Sequence, residues 1–144
     1  TAGQALHSEL GKAVIEWEIA RKSVAERFTK GSNLFTEHYS AVKAEVPVDN
    51  DHLTKVNSHL IDNLASYDRL LWAGEALDYC LANTFRDTIS ELGQDIAKKM
   101  VLLEDCTSAV NAPGADHLAK DFLDEITKLG VTITTSDKVF QAIL

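Results

Sequence analysis

Side-chain chemistry has few places to reside in this chain, because its 144 residues include only five histidines and two cysteines. His117 and Asp121 are four apart and Asp124 lies just beyond, so one helical face could offer an imidazole and carboxylates to a cation. These are the candidate metal ligands, but the set is incomplete. A di-metal helical bundle needs a Glu-x-x-His unit on each of two helices, and none occurs. The expectation is a solvated helix start that holds no metal. His52 and His59, seven apart and near Asp62, could form a pH-sensitive patch on a solvated face. His38 falls in an apolar stripe, where a histidine more often packs than ligates.

Other chemistries find less support. No histidine lies between His59 and His117, there is no Cys-x-x-Cys-His unit, and Met100 has no evident axial partner, which argues against haem. No Gly-rich phosphate loop, nucleophile elbow or triad-like set is present. Cys80 and Cys106 are too few for a disulfide framework and point to a reducing compartment. A cytoplasmic chain is therefore expected, although a start at Thr1 also suits a mature secreted protein or an excised domain. The expectation is a non-enzymatic chain without cofactor.

Charge narrows the partners. Residues 1–46 carry six basic and six acidic side chains, residues 47–111 five and eleven, and residues 112–144 three and five, for a net charge of −8. Such a surface repels phosphate, which disfavours nucleic acid and anionic membranes. No run approaches the roughly 20 apolar residues that span a bilayer.

The elements that would position these residues are announced by a heptad-like apolar rhythm. One series includes Leu10, Val14, Trp17, Val24, Phe28, Phe35 and Val42; the other includes Leu60, Leu64, Tyr67, Leu71, Leu81, Phe85 and Leu92. That spacing places a stripe on one face of a helix. With only two prolines and seven glycines, long helices are favoured over many short strands. The first helix is expected to run towards Val46, before Pro47, with Glu18–Lys22 and Glu26–Lys30 as ion pairs and Gly31 either a kink or a turn. Asp49 or Asp51 would cap the second, which extends from His52 towards Asn111, either through Gly93 or with a turn there.

Asn111-Ala112-Pro113-Gly114 reads as a loop. A shorter helix follows with Leu118, Phe122, Ile126 and Leu129 on its inner face and Gly130 at its end. Val131 to Thr134 alternates like a strand but has no evident partner, and Val139, Phe140, Ile143 and Leu144 form a docked terminal turn. Leu70, Leu71, Trp72, Ala73, Ala76 and Leu77 are apolar on more than one side, as a central helix would be.

These expectations combine into a single all-α domain over residues 1–144: an antiparallel helical bundle of two long helices, a shorter third and a docked C-terminal segment. Its function would be that of a helical interaction module, either a dimerising scaffold or a receptor for a partner helix, with Trp17, Phe28, Tyr67, Leu70, Trp72 and Leu77 facing the partner. The alternative is a sensor or carrier that holds a small apolar or amphipathic ligand between helices. A membrane-shaping bundle would need a basic face that this chain lacks.

Overall fold

Contiguous apolar runs decide the architecture. Leu70–Trp72 forms β1, Met100–Leu103 forms β2 and Thr132–Thr134 forms β3, hydrogen-bonded in the order β1-β2-β3 and parallel throughout. Leu70 pairs with Met100 and Trp72 with Leu102, while Leu102 pairs with Ile133. A computed structural model describes residues 6–142, apart from the side chains of Phe140 and Ala142. The expected positions Ile143 and Leu144 lie outside the described residues.

Parallel strands need crossover connections, and helices supply them. Ala82–Leu92 (α3) lies between β1 and β2, and Leu118–Lys128 (α4) between β2 and β3. Both pack on the face that carries Leu70, Trp72, Met100 and Leu102, where Phe85, Phe122 and Ile126 are essentially inaccessible. Phe85 is the keystone, with its ring 4.3 Å from Trp72 and 5.4 Å, edge-on, from Phe122. Arg86 closes the outside of this contact, lying over the Phe122 ring and bonding both carboxylate oxygens of Glu125.

The remaining helices are short or peripheral. Ser8–Arg21 (α1) buries none of its residues, Ser58–Ser66 (α2) is capped by the Asn57 side chain, and Val139–Ala142 (α5) follows β3. Between α1 and α2 the chain is irregular apart from one turn of 3-10 helix at His52–Thr54, which Asp51 caps.

The all-α bundle is therefore overturned. A buried parallel strand is apolar on both sides, as Met100 to Leu103 is, and Leu70 to Trp72 is apolar throughout although Leu71 is exposed, so each run looks like an enclosed helix when only its hydrophobicity is read. Gly93 is a stop: its φ of +85° ends α3, and its amide bonds the carbonyl of Ile89. The first long helix ends at Arg21, 25 residues short of Val46, and Glu18 pairs with Arg27 instead of Lys22. Glu26 faces His59, not Lys30. The Val131 to Thr134 segment does have a partner, β2. By contrast α4 matches its expected span, with Phe122 and Ile126 buried.

Candidate active site

The carboxyl ends of the strands are built as one hydrogen-bonded unit. After β1 the chain turns at Gly74 and enters a π-helical turn, Leu77–Leu81, that continues directly into α3. Leu77 and Leu81 are both buried in the core, which leaves Tyr79 and Cys80 partly exposed at the rim. The loop after β2 is bolted to this turn at several points. The Gly74 amide donates to the Cys106 carbonyl at 3.0 Å, the Leu77 amide to the Ser108 carbonyl at 2.8 Å, and the Thr107 hydroxyl to the Gly74 carbonyl at 2.6 Å. Glu75 accepts from both the amide and the hydroxyl of Ser108.

Asp78 is the deepest of these ties. Its side chain is buried, and its two oxygens accept the amides of Val110 and Asn111 at 3.0 and 3.3 Å. A carboxylate in such a place satisfies backbone donors that the loop could not pair internally. Further along the same edge, Asp105 accepts the hydroxyl and the amide of Ser136, and those bonds hold its carboxyl below the usual range.

The second half of the site comes from residues 30–44. One face of the π-turn and α3 presents Cys80, Thr84, Asp87 and Glu91, spaced as successive helical turns. Lys30 Nζ donates to Cys80 Sγ at 3.4 Å. The Ala41 amide donates to Thr84 Oγ1 at 3.0 Å, and Thr84 in turn donates to the Cys80 carbonyl at 2.7 Å. Lys43 Nζ lies 3.4 Å from both Asp87 and Glu91. Burial disfavours the Lys43 ammonium, yet the two carboxylates outweigh it and raise its pKa. The segment is anchored between these contacts by Ser40, Val42 and Ala44, all buried. Tyr39 then meets Tyr79 with ring centroids 6.0 Å apart, beside Cys80 in sequence.

Lys30 itself is held by its own loop. Its ammonium donates to the His38 carbonyl at 2.7 Å, and the amide of Gly31, at a φ of +74° that favours glycine, donates to His38 Nδ1 at 3.3 Å. Asn33 ties the loop to Asp51 at 2.8 Å, and this bond, with the Leu53 amide, depresses the Asp51 pKa.

Against this arrangement stand the residues singled out from the sequence. Leu70, Trp72 and Leu77 lie in the core. Trp17, Phe28 and Tyr67 come together with Leu60 and Leu64 around an open depression of about 360 Å³ between α1 and α2. His117 and Asp121 are 3.8 Å apart on the exposed start of α4, and among the described residues no group of three His, Cys, Asp or Glu side chains gathers as a metal site would. Cys80 and Cys106 are both free thiols. Lys30, Tyr39, Asp78 and Cys80, which the structure brings to this edge, are not among the candidate site residues read from the sequence. The available signal was an apolar run, Leu70 to Trp72, followed by a glycine turn and then by Asp78-Tyr79-Cys80, polar groups interrupting an otherwise greasy stretch.

The fold is shared with a known enzyme. The structure of the yeast nicotinamidase Pnc1p superposes with a TM-score of 0.53 at 22% sequence identity, over 85% of this chain and 50% of that one. A nicotinamidase-pyrazinamidase from Acinetobacter baumanii superposes at a TM-score of 0.46 and 20% identity, over 72% of this chain and 44% of that one. The chain thus spans about half the length of the solved structures it matches. No family model and no curated protein sequence matches it. The expectation of a non-enzymatic module with partner-binding helix faces is overturned, because the two long helices it required are broken into short helices, strands, turns and irregular chain, in a fold that the yeast enzyme also adopts. No helix among the described residues is long and apolar enough to cross a membrane.

Proposed function

We propose that this chain carries a cysteine-nucleophile site for amide hydrolysis, with Cys80 as the nucleophile and Lys30 as the cation that faces it. The observation that carries this reading is the 3.4 Å approach of the Lys30 ammonium to the Cys80 sulfur. In open α/β sheets ligands bind beyond the carboxyl ends of the strands, and Cys80 is placed just beyond β1. A nucleophilic cysteine needs a partly accessible sulfur next to positive charge, and both conditions are met. The fold likeness to a nicotinamidase supports an amide as the substrate class.

Water is the one co-reactant that the hydrolysis consumes. The Cys80 sulfur, as thiolate, adds to the amide carbonyl. The tetrahedral intermediate collapses as the carbon–nitrogen bond breaks, and the leaving nitrogen takes up the proton that the thiol gave up, releasing ammonia from a primary amide. Water then attacks the thioester, yielding the carboxylic acid and restoring the thiol. Lys30 stands where it can pair with the sulfur anion and pass a proton towards the departing nitrogen. Tyr79, the residue before Cys80, pairs its ring with that of Tyr39, an aromatic surface that suits a planar amide.

The test uses nicotinamide with the purified chain, followed by ammonia release, together with the rate at which iodoacetamide alkylates Cys80. Ammonia release that Cys80→Ser and Lys30→Gln both abolish is the expected result. Independently of turnover, Lys30→Gln should slow alkylation of Cys80 at neutral pH by about tenfold, the equivalent of one charge-assisted contact of about 1.4 kcal/mol. An unchanged alkylation rate in Lys30→Gln would remove the lysine from the site and the proposal with it.

A further inference from the structure

Two hydrogen bonds that shape the Lys30 turn end on a single residue. The carbonyl of His38 takes the ammonium, and its ring nitrogen Nδ1 takes the amide of the next residue, Gly31. Residues 30–38 therefore form a loop whose neck is closed twice by His38, once through backbone and once through the ring. We infer that His38 is a positioning residue for Lys30, its ring acceptor holding the neck shut so that the ammonium stays directed at Cys80. This rests on the Cys80–Lys30 assignment above and adds a dependence on the protonation of a residue that touches neither substrate nor sulfur.

Hydrogen-bond geometry sets the form of the ring. A neutral imidazole with an accepting Nδ1 carries its proton on Nε2. Protonation places a second N–H at Nδ1, opposite the Gly31 N–H, so the bond is replaced by donor facing donor. It also places a cation beside the Lys30 ammonium. His38 forms part of the wall of a cavity of about 370 Å³ that also bears His52, Lys55 and His59, and of the groups near the ring the Lys30 ammonium opposes its protonation while Glu45 favours it. Burial first, and then the Lys30 ammonium, move the His38 pKa below 6.5 against the opposing pull of Glu45. The neck is consequently closed at neutral pH and opens as acidification passes a value below 6.5.

The experiment uses the chain with Cys106→Ser, so that Cys80 is the remaining thiol, and follows iodoacetamide alkylation by mass spectrometry from about pH 5 to about pH 9. A lone thiol loses reactivity by about tenfold for each pH unit below its own titration. On the Cys106→Ser background the fall should steepen where the His38 ring protonates. His38→Asn sets an amide oxygen near the place of Nδ1, so it should keep the neutral-pH rate and lose the extra steepness. His38→Ala should slow neutral-pH alkylation by about tenfold, to near the Lys30→Gln rate, and speed hydrogen exchange at the Gly31 amide, which His38→Asn should leave slow. An acid limb unchanged in His38→Asn, or a folded His38→Ala variant that alkylates at the background rate, overturns the inference while the lysine assignment stands. A Lys30→Gln rate equal to the background overturns the assignment itself, and the role of His38 with it.

Discussion

Residues 70–134 and the region before them differ in what holds them in place. In the first, strands and helices bury Phe85, Phe122, Met100 and Leu102 almost completely, and the two crossover helices share one core. In the second, Leu10, Ile15, Trp17 and Ile19 on α1 are each about half or more exposed, and Leu34 and Phe35 are nearly bare. What fixes residues 30–57 is a set of hydrogen bonds made by irregular backbone, some to other backbone, as from the Ala44 amide to the Thr54 carbonyl and from the Asn57 amide to the Val42 carbonyl, and some to side chains, as from the Val48 amide to Thr54 Oγ1. The candidate site takes its sulfur from the packed region and its ammonium from the tethered one. A nucleophile gains from a rigid mount, while its charged companion can be carried on a loop provided that the loop is tied at enough points.

The comparison can be broken most forcefully at the core. Phe122→Ala should cost about 3–5 kcal/mol in urea or thermal unfolding, as loss of a fully buried aromatic does; a cost under about 1 kcal/mol would mean that α4 is not packed as described. Next comes Asp78→Ala, which strips the amides of Val110 and Asn111 of their acceptor. It should cost about 2–3 kcal/mol and speed hydrogen exchange at both amides. Thr84→Val keeps the shape but removes the acceptor for Ala41, so a loss of about 1 kcal/mol is expected, with faster exchange at the Ala41 amide and little change in the sheet. If exchange quickened equally in β2, the two regions would be one cooperative unit. Trp17→Ala should be the mildest, within about 1 kcal/mol of the parent, since roughly half of that side chain already faces water.

Acid should discriminate between the regions as well. A histidine whose folded pKa is lowered binds fewer protons in the native state than in the unfolded one, so its contribution is complete above 6.5 and is lost as pH falls through the folded value. Asp51 and Asp105, whose folded pKa values are also lowered, contribute above 3.8 and lose that contribution only in stronger acid. Mild acid should therefore loosen residues 30–38 first. His38→Asn should abolish that early loss, as read by exchange at Gly31.

Local chemistry was legible where one residue decides the outcome. The loop at Asn111 to Gly114 and the stop at Gly130 follow from residue type, and the inward face of α4 from its spacing, whereas Asp51 caps only the 3-10 turn at His52–Thr54 and not the long helix expected after it. The sheet was not legible, for a definite reason. Each strand has only three or four residues, and spacing at three and four can be drawn through short apolar runs as readily as spacing at two. Thus the spacing puts Leu71, part of β1, in the same helical stripe as Phe85 in α3, and Trp72 in an enclosed helix. The pair at the site was hidden by distance. Lys30 and Cys80 are separated by 50 positions, so nothing local to either marks the other, and the ordinary rule for neighbours on a helix pairs Lys30 with Glu26.

That separation also orders events while the polypeptide is being synthesised. Growing from its amino end, the chain makes Lys30 and its tethers long before α3 exists to receive them, whereas each strand-helix-strand unit downstream can close on itself as soon as it is complete. Until the ribosome has released α3, the lysine loop has no platform to dock on. The ammonium–sulfur pair thus waits for α3, and the turn that carries Cys80 waits in its turn for residues 106–111, whose hydrogen bonds hold it.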